Sequence, residues 1–106
     1  MATTKVERKI PYDQFVISSH LLYSGESIAS KAAISGNVTI TKSGYYPVAI
    51  AGWSASGASS GFINPGRLYL HDEQVGSGII SYNFQNNADV TLTNQGFSAR
   101  VLWVRV

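Results

Sequence analysis

Ile80-Ser81-Tyr82-Asn83-Phe84-Gln85 alternates, residue by residue, between an apolar and a polar side chain. A β-strand projects successive side chains to opposite faces, so Ile80, Tyr82 and Phe84 share one side and Ser81, Asn83 and Gln85 the other. The same period of two extends outward from this stretch. Upstream, Arg67-Leu68-Tyr69-Leu70-His71 sets Leu68 and Leu70 against Tyr69, and Asn37-Val38-Thr39-Ile40-Thr41 sets Val38 and Ile40 against the threonines. Downstream, Val90 and Leu92 alternate with Thr91 and Thr93. Sustained helical spacing of apolar residues is found nowhere.

Between these runs stand residues that tolerate positive φ or bond their own backbone: Ser35-Gly36-Asn37, Lys42-Ser43-Gly44, Gly76-Ser77-Gly78, Asn86-Asn87 and Asn94-Gln95-Gly96. Turns at these points would recur every ~8–12 residues, the spacing of a sandwich or small barrel. Ser54 to Gly61, followed by Asn64-Pro65-Gly66, reads as a long loop. Ser27 to Ile34 reads as a strand in preference to a short helix. The expectation is therefore an all-β, antiparallel, two-sheet β-sandwich, jelly-roll-like, with little or no helix. Its core would comprise Val38, Ile40, Leu68, Leu70, Ile80, Tyr82, Phe84, Val90, Leu92, Leu102 and Val104. Residues 1–20 read as an N-terminal segment or arm, and 21–106 as the sandwich domain.

Tyr45 to Trp53 and Ala99 to Val106 carry apolar side chains in both rows. In the second, Leu102, Val104 and Val106 oppose Val101 and Trp103. Both rows cannot face one subunit's own core, so Val101 and Trp103 are expected at an oligomer interface. The alternative is that Lys5 to Ile17 folds over that row within the chain.

Composition narrows the partners. Charged residues make up 13% of the 106, about half the usual ~25%, and Ser, Thr, Asn and Gly stand in their place. Such a surface suits sugars or other copies of the chain. The net charge is only +2 and the lysines and arginines are scattered, which argues against nucleic acid, where each phosphate contact needs a cation. There is no cysteine to form a disulfide or a thiolate metal site. The polar opening stretch predicts no signal peptide, and hence synthesis in the cytoplasm. The longest apolar run, Val48 to Trp53, falls well short of the ~20 residues of a spanning helix, so no membrane insertion is expected.

Catalysis is not expected either. His71-Asp72-Glu73 could be read as a metal site or acid–base pair, but neighbouring strand residues point to opposite faces, and the cluster reads as a solvated hairpin end. His20 has no carboxylate nearby in sequence. Gly52-Trp53-Ser54-Ala55-Ser56-Gly57 departs from a nucleophile elbow, with Ser56 at the second glycine position and no helix after it. Asn37-Val38-Thr39 fits a glycosylation sequon that lacks meaning without secretion. No catalytic residue, metal ligand or cofactor is assigned. The remaining candidates are aromatic. Tyr69 points away from Leu68 and Leu70, with Arg67 and His71 on its side, and these three form the expected contact surface.

Lys42 to Trp53, Arg67-Leu68-Tyr69-Leu70 and Val101-Leu102-Trp103-Val104 together resemble small tail-associated β-proteins of phages and prophages of Gram-positive bacteria. The shared features are a Gly-Tyr-x-Pro strand, a Ser/Gly-rich loop, an Arg-Leu-Tyr-Leu strand and a closing Val-Leu-Trp-Val strand, between Lys42 and Val106. The resemblance implies a non-enzymatic virion component of the tail fibre, baseplate or head-fibre type. It also implies a homo-oligomer, with a trimer favoured, among other tail or capsid proteins, and contact with host surface glycans. A bacterial carbohydrate-binding sandwich module is the alternative.

Overall fold

The computed structural model describes residues 14–57 and 62–106. Six strands follow in order: β1 (Phe15–Ile28), β2 (Ala33–Thr41), β3 (Tyr45–Ser56), β4 (Ile63–Gln74), β5 (Ser77–Asn86) and β6 (Leu92–Arg105). They form two three-stranded sheets, ordered β1-β6-β3 and β2-β5-β4, with every pairing antiparallel. The architecture is thus the expected all-β two-sheet sandwich, with six strands among the described residues against the eight of a jelly roll. The two middle strands, β5 and β6, face each other across the core.

From β5 come Ile80, Tyr82 and Phe84, and from β6 come Phe97, Ala99, Val101 and Trp103, all buried. Leu22, Ile28, Ile40, Ile63, Ala88 and Leu92 fill the space around them. Val38, Leu68 and Leu70 pack against this cluster from half-buried positions. Asn86, wholly buried, ties one end together. Its amide donates to the carbonyls of Ile28, Ala29 and Val90, and its oxygen accepts from the Ala88 N–H. The Ala29 carbonyl also accepts from the Ala32 N–H, so Asn86 joins a backbone turn to the segment before β6.

Several expectations are corrected. Val101 and Trp103 belong to the subunit's own core, each 0% exposed, and are not interface residues. They continue the inward row begun by Phe97 and Ala99, while Ser98, Arg100, Leu102 and Val104 form the outward row. Leu102 and Val104 therefore lie outside the core. Val90 precedes β6 and is 63% exposed, because Asn86 holds its carbonyl while its side chain faces solvent. The boundary at residue 20 falls within β1, whose residues from Phe15 onward pair with β6. The proposed fold-over segment Lys5 to Ile17 lies largely outside the described residues; its last part, Phe15 to Ile17, is edge strand.

Two supposed turns are strand. Ser35-Gly36-Asn37 lies within β2, where Gly36 is needed for close approach: a Cβ there would sit 2.7 Å from the Tyr82 hydroxyl. Asn94-Gln95-Gly96 lies within β6, with Asn94 at φ 53° beside a break in the β1–β6 register. Asn64-Pro65-Gly66 belongs to β4, an edge strand that accommodates a proline and a bulge before Arg67. Ser27 to Ile34 contains the end of β1, a turn at residues 30–31 and the start of β2. β3 runs to Ser56, and residues 58–61 of the expected loop lie outside the described residues. The turn at Ser43-Gly44 is as expected, with Gly44 at φ 81°.

Candidate functional site

The outward face of β2-β5-β4 carries an open groove of about 520 Å³. Its lining includes Ser35 and Asn37 from β2, Ser81 and Asn83 from β5, and Arg67 and Tyr69 from β4. Strand order explains the assembly. Arg67 stands opposite Asn83, Tyr69 opposite Ser81, and Ser81 opposite Asn37, so the polar rows of three strands lie side by side. The bulge after Pro65 places Gly66 beside the Asn83 amide, where a Cβ would come within 3.1 Å of its oxygen. That missing side chain helps keep the groove open.

Arg67, Tyr69 and His71, the row singled out in the sequence, do share this face. Tyr69 is 44% exposed, and its ring lies 5.0 Å from that of His71. His71 in turn starts a chain of hydrogen bonds. Its Nδ1 lies 3.1 Å from an Asp72 carboxylate oxygen and its Nε2 lies 2.6 Å from the Ser81 hydroxyl. Ser81 Oγ donates to Asn37 Oδ1. Adjacent strand residues normally diverge, but Asp72 adopts φ 52° within a register break, which turns its carboxylate back to His71.

Asp72, His71 and Ser81 thus have the atom order of a catalytic triad. Two features argue for a structural relay instead. Ser81 is only 7% exposed, its oxygen held between His71 and Asn37. β5 is flanked on both sides, so its backbone N–H groups serve the ladders and none is left to stabilise an oxyanion beside Ser81.

His20 is far from this arrangement in the fold. It belongs to β1 in the other sheet, and its Nε2 lies 2.6 Å from Ser18 Oγ, which accepts from the Trp103 indole at 2.6 Å. Trp103 can only donate, so the Ser18 oxygen accepts from it and the Ser18 hydroxyl proton remains available to the His20 nitrogen. Burial, aided by the Lys42 charge, pushes the His20 pKa below its ordinary 6.5. The two histidines are not brought together, and no group of three or more potential metal ligands occurs among the described residues. Burial also raises the Tyr82 phenol above its usual 10.0.

Sequence reasoning found the β4 row and missed its neighbours. Ser35, Asn37, Ser81 and Asn83 were visible as the polar half of two alternating strands, but nothing local places β2 and β4 on either side of β5. Comparison with family models, curated proteins and solved structures finds no match to the chain.

Proposed function

We propose that this chain is a non-enzymatic attachment module that binds glycans in the β2-β5-β4 groove. The carrying observation is the groove lining: two serine hydroxyls, two carboxamides, one guanidinium and two tyrosines, of which Tyr69 is exposed, with no carboxylate among them. Carboxamides offer a donor and an acceptor side by side, which suits vicinal sugar hydroxyls, and a flat aromatic face suits a pyranose ring. The resemblance to phage tail-associated proteins supplies the biological setting, a virion component meeting a cell surface. The test is a glycan panel followed by calorimetry with the best ligand. Tyr69→Ala and Asn83→Ala should each weaken binding about tenfold or more while leaving the fold intact, the loss of one good contact being worth ~1.4 kcal/mol. A folded protein that binds no glycan in the panel ends this reading.

A second feature supports the oligomer that such a particle component requires. On the outer face of β1-β6-β3, Ile17 is 60% exposed and pairs with Leu102, while Phe15 pairs with Val104. We place contact with a second copy on this outward row. Ile17→Lys should shift the mass measured by light scattering to that of the monomer. A wild-type protein already monomeric at micromolar concentration removes this reading.

A further inference from the structure

Asn37 sits where the hydrogen-bond chain from His71 meets the groove, and the chain has a direction. Ser81 has one hydroxyl proton. In the arrangement described, that proton goes to Asn37 Oδ1, so the Ser81 oxygen must accept from His71 Nε2. The Nδ1 of the same ring faces the Asp72 carboxylate, which can only accept. With Asn37 so oriented, hydrogen is required on both ring nitrogens, the pattern of the charged imidazole.

Removing one proton leaves a single consistent alternative. Asp72 still demands a hydrogen on Nδ1, so the proton lost is the one on Nε2. The Ser81 hydroxyl must then turn and donate to Nε2, which leaves its oxygen to accept. Asn37 can donate only by rotating its amide so that Nδ2 replaces Oδ1 at Ser81. The two ends of a carboxamide are alike in shape, so the reversal needs no repacking.

We infer that Asn37 is a specificity-determining residue of the groove, and that the proton on His71, acting through Ser81, sets which end of its amide faces a ligand. With His71 charged, Asn37 offers the groove its N–H donors; with His71 neutral, it offers its carbonyl oxygen. This deepens the glycan reading and rests on it for the identity of the ligand, but the relay belongs to the free protein.

The groups facing His71 leave it the switching element. On β4 these are Asp72, Tyr69, Arg67 and the adjacent Glu73. Across the sheet, β5 presents Ile79, Ser81 and Asn83 and β2 presents Ser35, Asn37 and Thr39, none of them ionisable. The Tyr82 ring belongs to the core and packs on Phe84.

Nuclear magnetic resonance on the isotopically labelled, ligand-free chain tests this. Ring-nitrogen correlations follow the His71 protonation state through a pH series, while the Asn37 side-chain amide signals are followed in the same samples. The expected result is one shared midpoint, with an Asn37 Nδ2 proton hydrogen-bonded to Ser81 only on the high-pH side. Ser81→Ala should leave the His71 titration in place and abolish the response of Asn37. His71→Gln, which has no titratable group at this position, should make the Asn37 signals independent of pH. Asn37 signals that ignore the wild-type titration, or still follow it in Ser81→Ala, overturn the inference. A confirmed relay in a chain that binds no glycan at either pH would overturn the glycan reading alone.

Discussion

Phe84 of β5 and Phe97 of β6 lie parallel, their ring centroids 4.3 Å apart and their planes 10° from one another. Both rings are wholly buried, and they join the middle strands of the two sheets. Tyr23 stacks on Phe97 at 5.5 Å, and Trp53 and Tyr82 tilt against Phe84. Phe97→Ala should therefore destabilise by about 3–5 kcal/mol, the usual cost of losing a large core ring and leaving a cavity. Urea unfolding measures it, and a loss under about 1 kcal/mol would mean that the stack does not hold the sheets together.

Trp103→Ser should act on the fold and not on assembly. The indole fills the core and donates to Ser18, so the substitution removes both volume and a hydrogen bond. The expected outcome is a thermal midpoint lowered by many degrees at any protein concentration. A variant that keeps its midpoint yet changes its oligomeric mass would return Trp103 to an interface.

Gly36 and Tyr82 should be coupled. An added methyl at Gly36 would meet the Tyr82 hydroxyl at 2.7 Å and its ring carbons at 3.0 and 3.2 Å. Gly36→Ala should cost about 1–3 kcal/mol, the range for overpacking. Combining it with Tyr82→Phe removes the nearest atom and should recover part of that loss. Strict additivity in the double-mutant cycle would show that the two positions do not touch.

Asn86→Ala should be as damaging as many core deletions. The Ile28 and Val90 carbonyls lose the Asn86 donor and the Ala88 N–H loses its acceptor, while the Ala29 carbonyl keeps its bond from the Ala32 N–H. Each unmet buried group costs about 1–3 kcal/mol. Asn86→Asp should be no better, since a carboxylate cannot donate to those carbonyls. Calorimetric unfolding of the two variants is the measurement; a stable Asp variant would contradict the assignment.

Stability should decline in mild acid through His20. Its folded pKa lies below 6.5 because burial disfavours the charged ring. Below pH 6.5 the unfolded chain therefore binds a proton that the folded chain refuses, and the equilibrium tilts toward unfolding. The contribution is complete above pH 6.5 and is lost as pH falls toward the folded value. His20→Gln should flatten this part of the stability profile, read from urea midpoints at successive pH values. An unchanged slope in the variant would exclude His20 as its source.

Alternation alone reveals most of the sandwich, because one buried face per strand leaves a period of two in Val38/Ile40, Leu68/Leu70 and Ile80/Tyr82/Phe84. It fails in β6, where Val101 to Val104 are apolar in both rows. The deciding signal lies earlier in that strand, since Ser98 and Arg100 share the row of Leu102 and Val104 and mark it as outward. Glycine and asparagine misled wherever they serve packing instead of turning, as at Gly36 under Tyr82 and Asn94 beside the β1–β6 register break. The contact row of β4 was legible because Tyr69 opposes two leucines. The rest of the groove was not, since it depends on strand order, and strand order is set by packing between distant segments.

Phe15 pairs with Val104 and Ile28 with Leu92, so the sheet β1-β6-β3 is closed by the last of its three strands to be made. As the chain leaves the ribosome, β1 and β3 emerge with no partner in their own sheet until β6 follows. Of the successive connections, only β4 to β5 joins neighbours in one sheet, through a turn at residues 75–76. Pairings of such sequence separation form slowly, because the chain must close long loops before gaining the contacts that reward them. Until then the exposed strand edges of β1 and β3 invite pairing with other nascent copies. The order in which the strands are made thus sets a period of vulnerability during synthesis, which ends when Phe97 reaches Phe84.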